Sequence, residues 1–329
     1  MARTRYNTFA PTVPITPFLE GACVAPKPGQ SDNTTAILLL IALSFCWGLS
    51  WTAMRVALDE VSPWSLRLIG YSIGAATLFA LLKAQGRRLA IPFGKDWLHI
   101  FIAALFLAVA FGVAGTFAQL MANTSRVIIV NYSMPVWGSM MAYFVLGERI
   151  NLPSAIGLVL CVAGLAVLVY PVAETSMREP TGLLLALCCA LGWGGGTVYM
   201  KWARIKGDLL AITFWQVMVG AVTFAVFYLT FEGLPTYHPL QWRTWAGLLF
   251  NGMLGTGIAY FIWFNIIGRL STATASLGSL INPVVGVIGA MIVLGDRPTV
   301  PDMIGFALIF AAAACVLIPQ RATPPAPEI

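Results

Sequence analysis

Long apolar runs, cut at intervals by short polar stretches, organise this chain. Segments free or nearly free of charge cover about 36–54, 65–82, 98–122, 127–146, 154–171, 182–200, 209–230, 245–267, 273–294 and 303–319. Most lie near the roughly 20 residues that carry a helix across bilayer hydrocarbon. Runs such as Ala36 to Ala42 and Phe306 to Ala314 are apolar on every face, whereas a membrane barrel would show segments of about ten residues with period-two alternation. Because backbone polar groups in lipid must be satisfied within their own segment, the pattern predicts an all-α membrane protein with ten transmembrane helices.

The punctuation between the runs occurs twice. Pro135, Leu146-Gly147-Glu148-Arg149, Pro153 and Gly157 return as Pro283, Leu294-Gly295-Asp296-Arg297, Pro301 and Gly305, each displaced by 148 residues. Upstream, Trp47-Gly48 and Met54-Arg55 return as Trp193-Gly194 and Met200-Lys201, displaced by 146. Each unit holds five runs, and an odd number makes the second copy enter the bilayer from the opposite side. The expected architecture is two inverted five-helix repeats, an arrangement typical of transporters, over residues 34–172 and 173–320, with short cytoplasmic tails at 1–33 and 321–329.

Composition agrees and adds orientation. With 59% hydrophobic and 10% charged residues and a mean hydropathy of +0.83, too little polar surface exists to cover a soluble protein of this length. A cytoplasmic N-terminus puts 13 of the 19 Lys and Arg residues inside, the 83–95 loop contributing most, so both termini are expected in the cytoplasm. The net charge of +6 is then an orientation signal, and no clustered basic face points to nucleic acid. Pro11, Pro14, Pro17, Pro26 and Pro28 are spaced too closely for regular helix, so a disordered N-terminal tail is expected, with the helix near Ala36 as an uncleaved insertion signal. Six cysteines show neither a disulfide framework nor metal spacing. No cofactor or metal is expected; the expected partners are a small-molecule solute and the lipid bilayer. Oligomeric state stays open, the Gly70/Gly74 small-xxx-small pair being a weak dimer signal.

Ionisable residues within the runs are few: Arg55, Arg67, Lys83, Arg126, Glu148, Lys201 and His99 fall at or near predicted helix ends. Without a mid-span carboxylate, a proton or sodium handle and an embedded catalytic site both lose support. Mid-span positions are instead aromatic and neutral-polar. Trp47, Trp51, Trp193, Tyr199, Tyr260 and Trp263, with Gln119, Asn131, Tyr132, Ser133, Ser279 and Asn282, form the candidate solute-binding set, because deep Trp and Tyr more often face an interior than acyl chains. Packing between helices is the bland alternative for each ring. Pro135 and Pro283 are the candidate kinks, each removing the N–H that would bond the carbonyl four residues earlier, at Asn131 and Ser279. Paired helix breaks in two halves point to a transporter binding site. Gly194-Gly195-Gly196 beside Trp193 marks a flexing point for alternating access.

From Phe45-Cys46-Trp47-Gly48 through Met54-Arg55, Arg67, and Pro135 through Gly157 with its second copy at Pro283 through Gly305, the chain resembles EamA-type members of the drug/metabolite transporter superfamily over residues 36–319. Arg55 stands where lysine is more usual, and Gly195-Gly196 also departs from the family pattern. The resemblance implies solute export through a central cavity built chiefly from spans one, three, four, six, eight and nine. The aromatic lining is similar to that of YddG-type exporters of aromatic amino acids in a bacterial inner membrane. The expected function is export of aromatic and other neutral amino acids by alternating access, with facilitated diffusion the simplest energetics. An organic-cation or multidrug exporter, a phosphorylated-metabolite or nucleotide-sugar carrier and, from another class, a membrane-embedded enzyme are the alternatives.

Overall fold

The computed structural model describes residues 30–91, 94–148, 150–173, 178–233, 239–266 and 280–317. Among these the chain is all helix, without a strand. The helices are α1 (Gln30–Ala57), α2 (Pro63–Ala84), α3 (Lys95–Ala104, a π-helical stretch Leu105–Ala110, then Phe111–Met121), α4 (Thr124–Asn131) and α5 (Met134–Leu146). After them come α6 (Leu152–Ala173), α7 (Arg178–Ala203), α8 (Leu209–Phe231), α9 (Trp242–Leu249, π-helical Phe250–Ile258, then Ala259–Ile266), α10 (Ile281–Leu294) and α11 (Val300–Leu317). Among the described residues, eight helices are long and apolar enough to cross a membrane. The other two predicted crossings carry Pro135 and Pro283: the first is broken into α4 and α5, and the described part of the second is α10.

Local chemistry explains where these helices start and stop. Ser62 caps α2 through the Ser65 N–H at 3.0 Å, and Asp208 caps α8 through the N–H groups of Leu210 and Ala211, each supplying an acceptor to backbone donors that lack an intrahelical partner. The duplicated punctuation forms duplicated geometry. Gly147 and Gly295 end α5 and α10 at φ +69° and +73°, a left-handed conformation that glycine adopts without Cβ strain. Asn151 then caps α6 through the Ser154 N–H; at the equivalent place Asp302 accepts from the Thr299 N–H and hydroxyl, both at 2.8 Å. Pro153 and Pro301 occupy the second position of the helices that follow, one place later than the first-turn start that proline prefers.

Helix crossings repeat as well. A Cβ on Gly48 would lie 2.7 Å from the Asn282 carbonyl oxygen, and one on Gly194 would lie 3.2 Å from that of Met134. Thus α1 crosses α10 where α7 crosses α5, at positions related by the displacements of 146 and 148 found in the sequence, and only the absence of side chains allows the backbones that close. Gly70 and Gly74, the dimer signal, face Asn251 and Thr256 of α9, so intramolecular packing uses that stripe.

Polar contacts gather at helix ends, as lipid requires. At the rim joining α2 to α3, Arg87 reaches Asp208 at 3.2 Å and Asn265 at 3.3 Å, and Lys201 pairs with Glu148. At the opposite rim Arg126 holds Asp302 with two nitrogens, at 2.6 and 3.0 Å, and Glu179 at 2.7 Å. Asp302 is only 3% exposed. Removing its partner strands a buried carboxylate, so Arg126→Ala is expected to cost about 3 kcal/mol, read as a lower unfolding midpoint in detergent; adding Asp302→Asn recovers part of the loss.

Candidate functional site

On α1, Trp47 and Trp51 stand four residues apart and share a face. Trp47 meets Tyr260 at 6.1 Å and Trp263 at 5.8 Å between ring centroids. Tyr260 lies almost parallel to Trp193, 10° between planes at 6.3 Å; Trp193 touches Phe111 at 5.1 Å, and Phe111 touches Trp51 at 5.9 Å. Six rings from α1, α3, α7 and α9 therefore form one continuous path. Each π-helical stretch delivers one of them: Phe111 follows Ala110 directly and Tyr260 stands two places after Ile258. Such stretches rotate the residues behind them relative to those ahead, and they recur at functional sites.

The broken helix lies against this path. Tyr132 and Ser133 depart from helical hydrogen bonding between α4 and α5, and Pro135 is the second residue of the restarted helix. The Tyr132 side chain lies beside that of Asn282 on α10, which brings the broken span against α10. Asn131 and Asn282 are buried, and each leaves its Oδ1 without a partner among the described residues. Pro283 is buried and Pro135 half-buried. Rings from four spans and amides from two more involve the six spans that the family resemblance implies.

Three expectations change. Tyr199 is not with the other rings: its hydroxyl sits 2.7 Å from His99 Nδ1, and its ring faces Phe106 and Trp202. Ser133 is fully buried, donates to the Val130 carbonyl at 2.6 Å and accepts from Trp137 Nε1 at 2.9 Å, so it has no capacity pointed at a solute. The rings also touch one another rather than surrounding an open chamber. The open space is instead a polar cavity of about 600 Å³ at the rim beside Arg55, Arg178, Arg243 and Asp296, reaching inward to Gln119. Gln119 is 1% exposed, accepts from the Thr124 hydroxyl at 2.7 Å and leaves its Nε2 without a partner among the described residues. Ser279 lies outside the described residues.

Two residues escaped the sequence reading. Phe111 had a usable signal, since it sits one place from the repeat equivalent of Tyr260. Arg67 was assigned to a helix end, yet it is 6% exposed and donates through Nε to Thr116 Oγ1 and through Nη2 to Met54 Sδ. A second, apolar crevice of about 450 Å³ lies between α3, α5 and α7, beside Phe106, Met141 and Tyr199.

The model of the EamA-like transporter family matches this chain twice, over residues 34–170 and 180–318. The chain belongs to the EamA-like transporter family. Among curated relatives of this EamA-like protein, the transporter YoaV of Bacillus subtilis is 28% identical over 83% of this chain and 93% of its own length. A probable amino-acid metabolite efflux pump of Escherichia coli is 24% identical over 85% of this chain and 92% of its own length. A solved crystal structure, 24% identical, aligns with a TM-score of 0.60 over 86% of this chain and 98% of that one, which supports the fold alone. The protein is a multi-pass membrane protein of this transporter family.

Proposed function

We propose that this protein exports small neutral solutes, aromatic and other neutral amino acids first among them, from the cytoplasm across a bacterial inner membrane. The observation that carries the reading is the unbroken ring path Trp263–Trp47–Tyr260–Trp193–Phe111–Trp51 beside a broken helix. Flat faces stack on aromatic solutes, and the unfilled amide oxygens of Asn131 and Asn282 are acceptors for an ammonium group. A relative called an amino-acid metabolite efflux pump fits the same chemistry.

The reading takes 34–172 and 173–320 as inverted five-helix repeats, ten crossings in all, with both termini cytoplasmic. The equivalent crossings of α1 on α10 and α7 on α5 and the two π-helical stretches support it. Alternating access follows from one asymmetry. Lys201 pairs with Glu148 at one rim; their repeat equivalents, Arg55 and Asp296, both line the open cavity at the other, where Arg55 holds Asp59 and Asp296 holds Ser125. On this reading the conformer is closed at the cytoplasmic rim and open outward, and exchange of the two rim contacts turns it inward.

Among the described residues no carboxylate lies mid-span, so we take transport as facilitated diffusion. Proteoliposomes holding the purified protein should accumulate labelled tryptophan saturably and to the same extent with or without proton and sodium gradients. Absence of uptake contradicts the reading. The ring path also favours organic cations as a second reading; competition by a paraquat-like cation stronger than by phenylalanine would decide for it.

A further inference from the structure

We propose that Arg67 is the carboxylate anchor of the transport pathway, so that a transported solute must present a free carboxylate to it. This deepens the reading above and rests on it for the location of the pathway. Arginine stays charged in proteins, and a buried charge without a counter-charge is strongly unfavourable, the more so in a membrane-spanning segment. Arg67 is buried to 6% exposure, yet its partners are a hydroxyl and a thioether. The Thr116 hydroxyl gives its own proton to the Gly112 carbonyl at 2.8 Å, which commits its lone pair to Arg67 Nε and fixes the guanidinium. Nη1 has no partner among the described residues.

The described carboxylates of that rim are engaged elsewhere. Asp59 pairs with Arg55, and Glu179 and Asp302 pair with Arg126. Glu60 accepts from Gln241 and Thr244, Asp296 from Ser125, and Glu232 from Ser65. The titratable groups that face Arg67 are the Tyr71 phenol and the Cys189 thiol, neither an anion at neutral pH. The fold thus holds a fixed cation, and the described residues supply no anion for it.

Its position suits a solute on its way in or out. Thr116 stands one helical turn from Gln119, which reaches the rim cavity with an unfilled Nε2, and Met54 precedes Arg55, which lines that cavity. On the other side a Cβ on Gly115 would lie 3.3 Å from Cys189 Sγ and 3.4 Å from the Trp51 ring, and Cys189 bonds the Phe111 carbonyl at 3.4 Å. Arg67 is therefore wedged between the cavity floor and the Trp51–Phe111 end of the ring path. Unfilled donors at Arg67 and Gln119, with unfilled acceptors at Asn131 and Asn282, are the complement of a zwitterion. A phosphate ester, doubly charged, would leave one negative charge over against a single guanidinium.

The test compares wild type, Arg67→Met and Arg67→Lys in proteoliposomes with three labelled probes: tryptophan, leucine, and tryptamine, which lacks the carboxylate. Wild type should move tryptophan and leucine and discriminate against tryptamine. Arg67→Met should cut tryptophan and leucine uptake by about tenfold or more, the effect of losing one charge-assisted hydrogen bond, leave tryptamine unchanged, and keep or raise the unfolding midpoint, because an apolar replacement removes a buried charge. Arg67→Lys should restore part of the loss. Equal losses for all three probes with a lowered unfolding midpoint, or unchanged tryptophan uptake in Arg67→Met, would overturn the anchor. Leucine uptake that depends on Arg67 without any tryptophan uptake keeps the anchor and discards the aromatic reading. A wild type that moves none of the probes overturns both.

Discussion

Trp193→Ala is expected to raise the half-saturation concentration for tryptophan between about thirtyfold and about a thousandfold. Trp193 is the middle of the ring path, parallel to Tyr260 and in contact with Phe111. Deleting it removes the burial of one aromatic face, worth about 1.5–3 kcal/mol, and one ring–ring contact worth roughly 0.5–1.5 kcal/mol more; each 1.4 kcal/mol is a factor of ten. Trp193→Phe keeps a ring there and should lose far less. Tyr199→Ala is the internal control. That ring packs with His99, Phe106 and Trp202, so its removal should leave tryptophan uptake within about twofold, the scale of a distant site. Concentration-dependent uptake into proteoliposomes at matched protein content reads all three variants.

Locking either rim should stop transport altogether. With the six native cysteines replaced, Glu148→Cys with Lys201→Cys places two thiols where an ion pair now closes one rim. A bifunctional thiol reagent long enough to replace the two side chains should bridge them readily and reduce uptake to background, with a reducing agent restoring it when the bridge is a disulfide-type link. Arg55→Cys with Asp296→Cys, the repeat-related pair that lines the open cavity, should bridge slowly, only as molecules pass to the other state, and bridge faster when tryptophan is present. Charge alone matters less here. Both members of the existing pair are nearly half exposed, a setting in which ion pairs contribute about 0–1 kcal/mol, so Lys201→Gln should slow transport only modestly.

Much of this fold could be read from spacing, because lipid leaves few solutions for an apolar run of about 20 residues. Trp47, Trp51, Trp193, Tyr260 and Trp263 were expected together and are found together. Tyr199 failed for a geometrical reason: six residues beyond Trp193 on one helix is a rotation of roughly 240°, which turns its ring away from the path. Ser133 failed because its hydroxyl is consumed by its own helix break, a local bond that no count of mid-span polar residues reveals. Phe111 is directed inward by a π-helical stretch, and that register shift is invisible to a regular 3.6-residue period.

Arg67 is the larger lesson. Counting from the helix start put it one turn from the end of α2, where a cation normally reaches water. Burial there is a tertiary fact: Met54 of α1 and Thr116 of α3 close over it, and no pattern within α2 records their approach. The open chamber was also an inference too far from sequence, since whether rings line a void or touch depends on the conformer that the packed helices adopt.

Solute bound on the ring path should be caught there by photolabelling. A diazirine-bearing tryptophan analogue, irradiated with the purified transporter and followed by peptide mapping, is predicted to mark the segments around Trp47, Phe111, Trp193 and Tyr260, with excess unlabelled tryptophan preventing it. Labelling confined to the apolar crevice beside Phe106, Met141 and Tyr199, undiminished by tryptophan, would contradict the account.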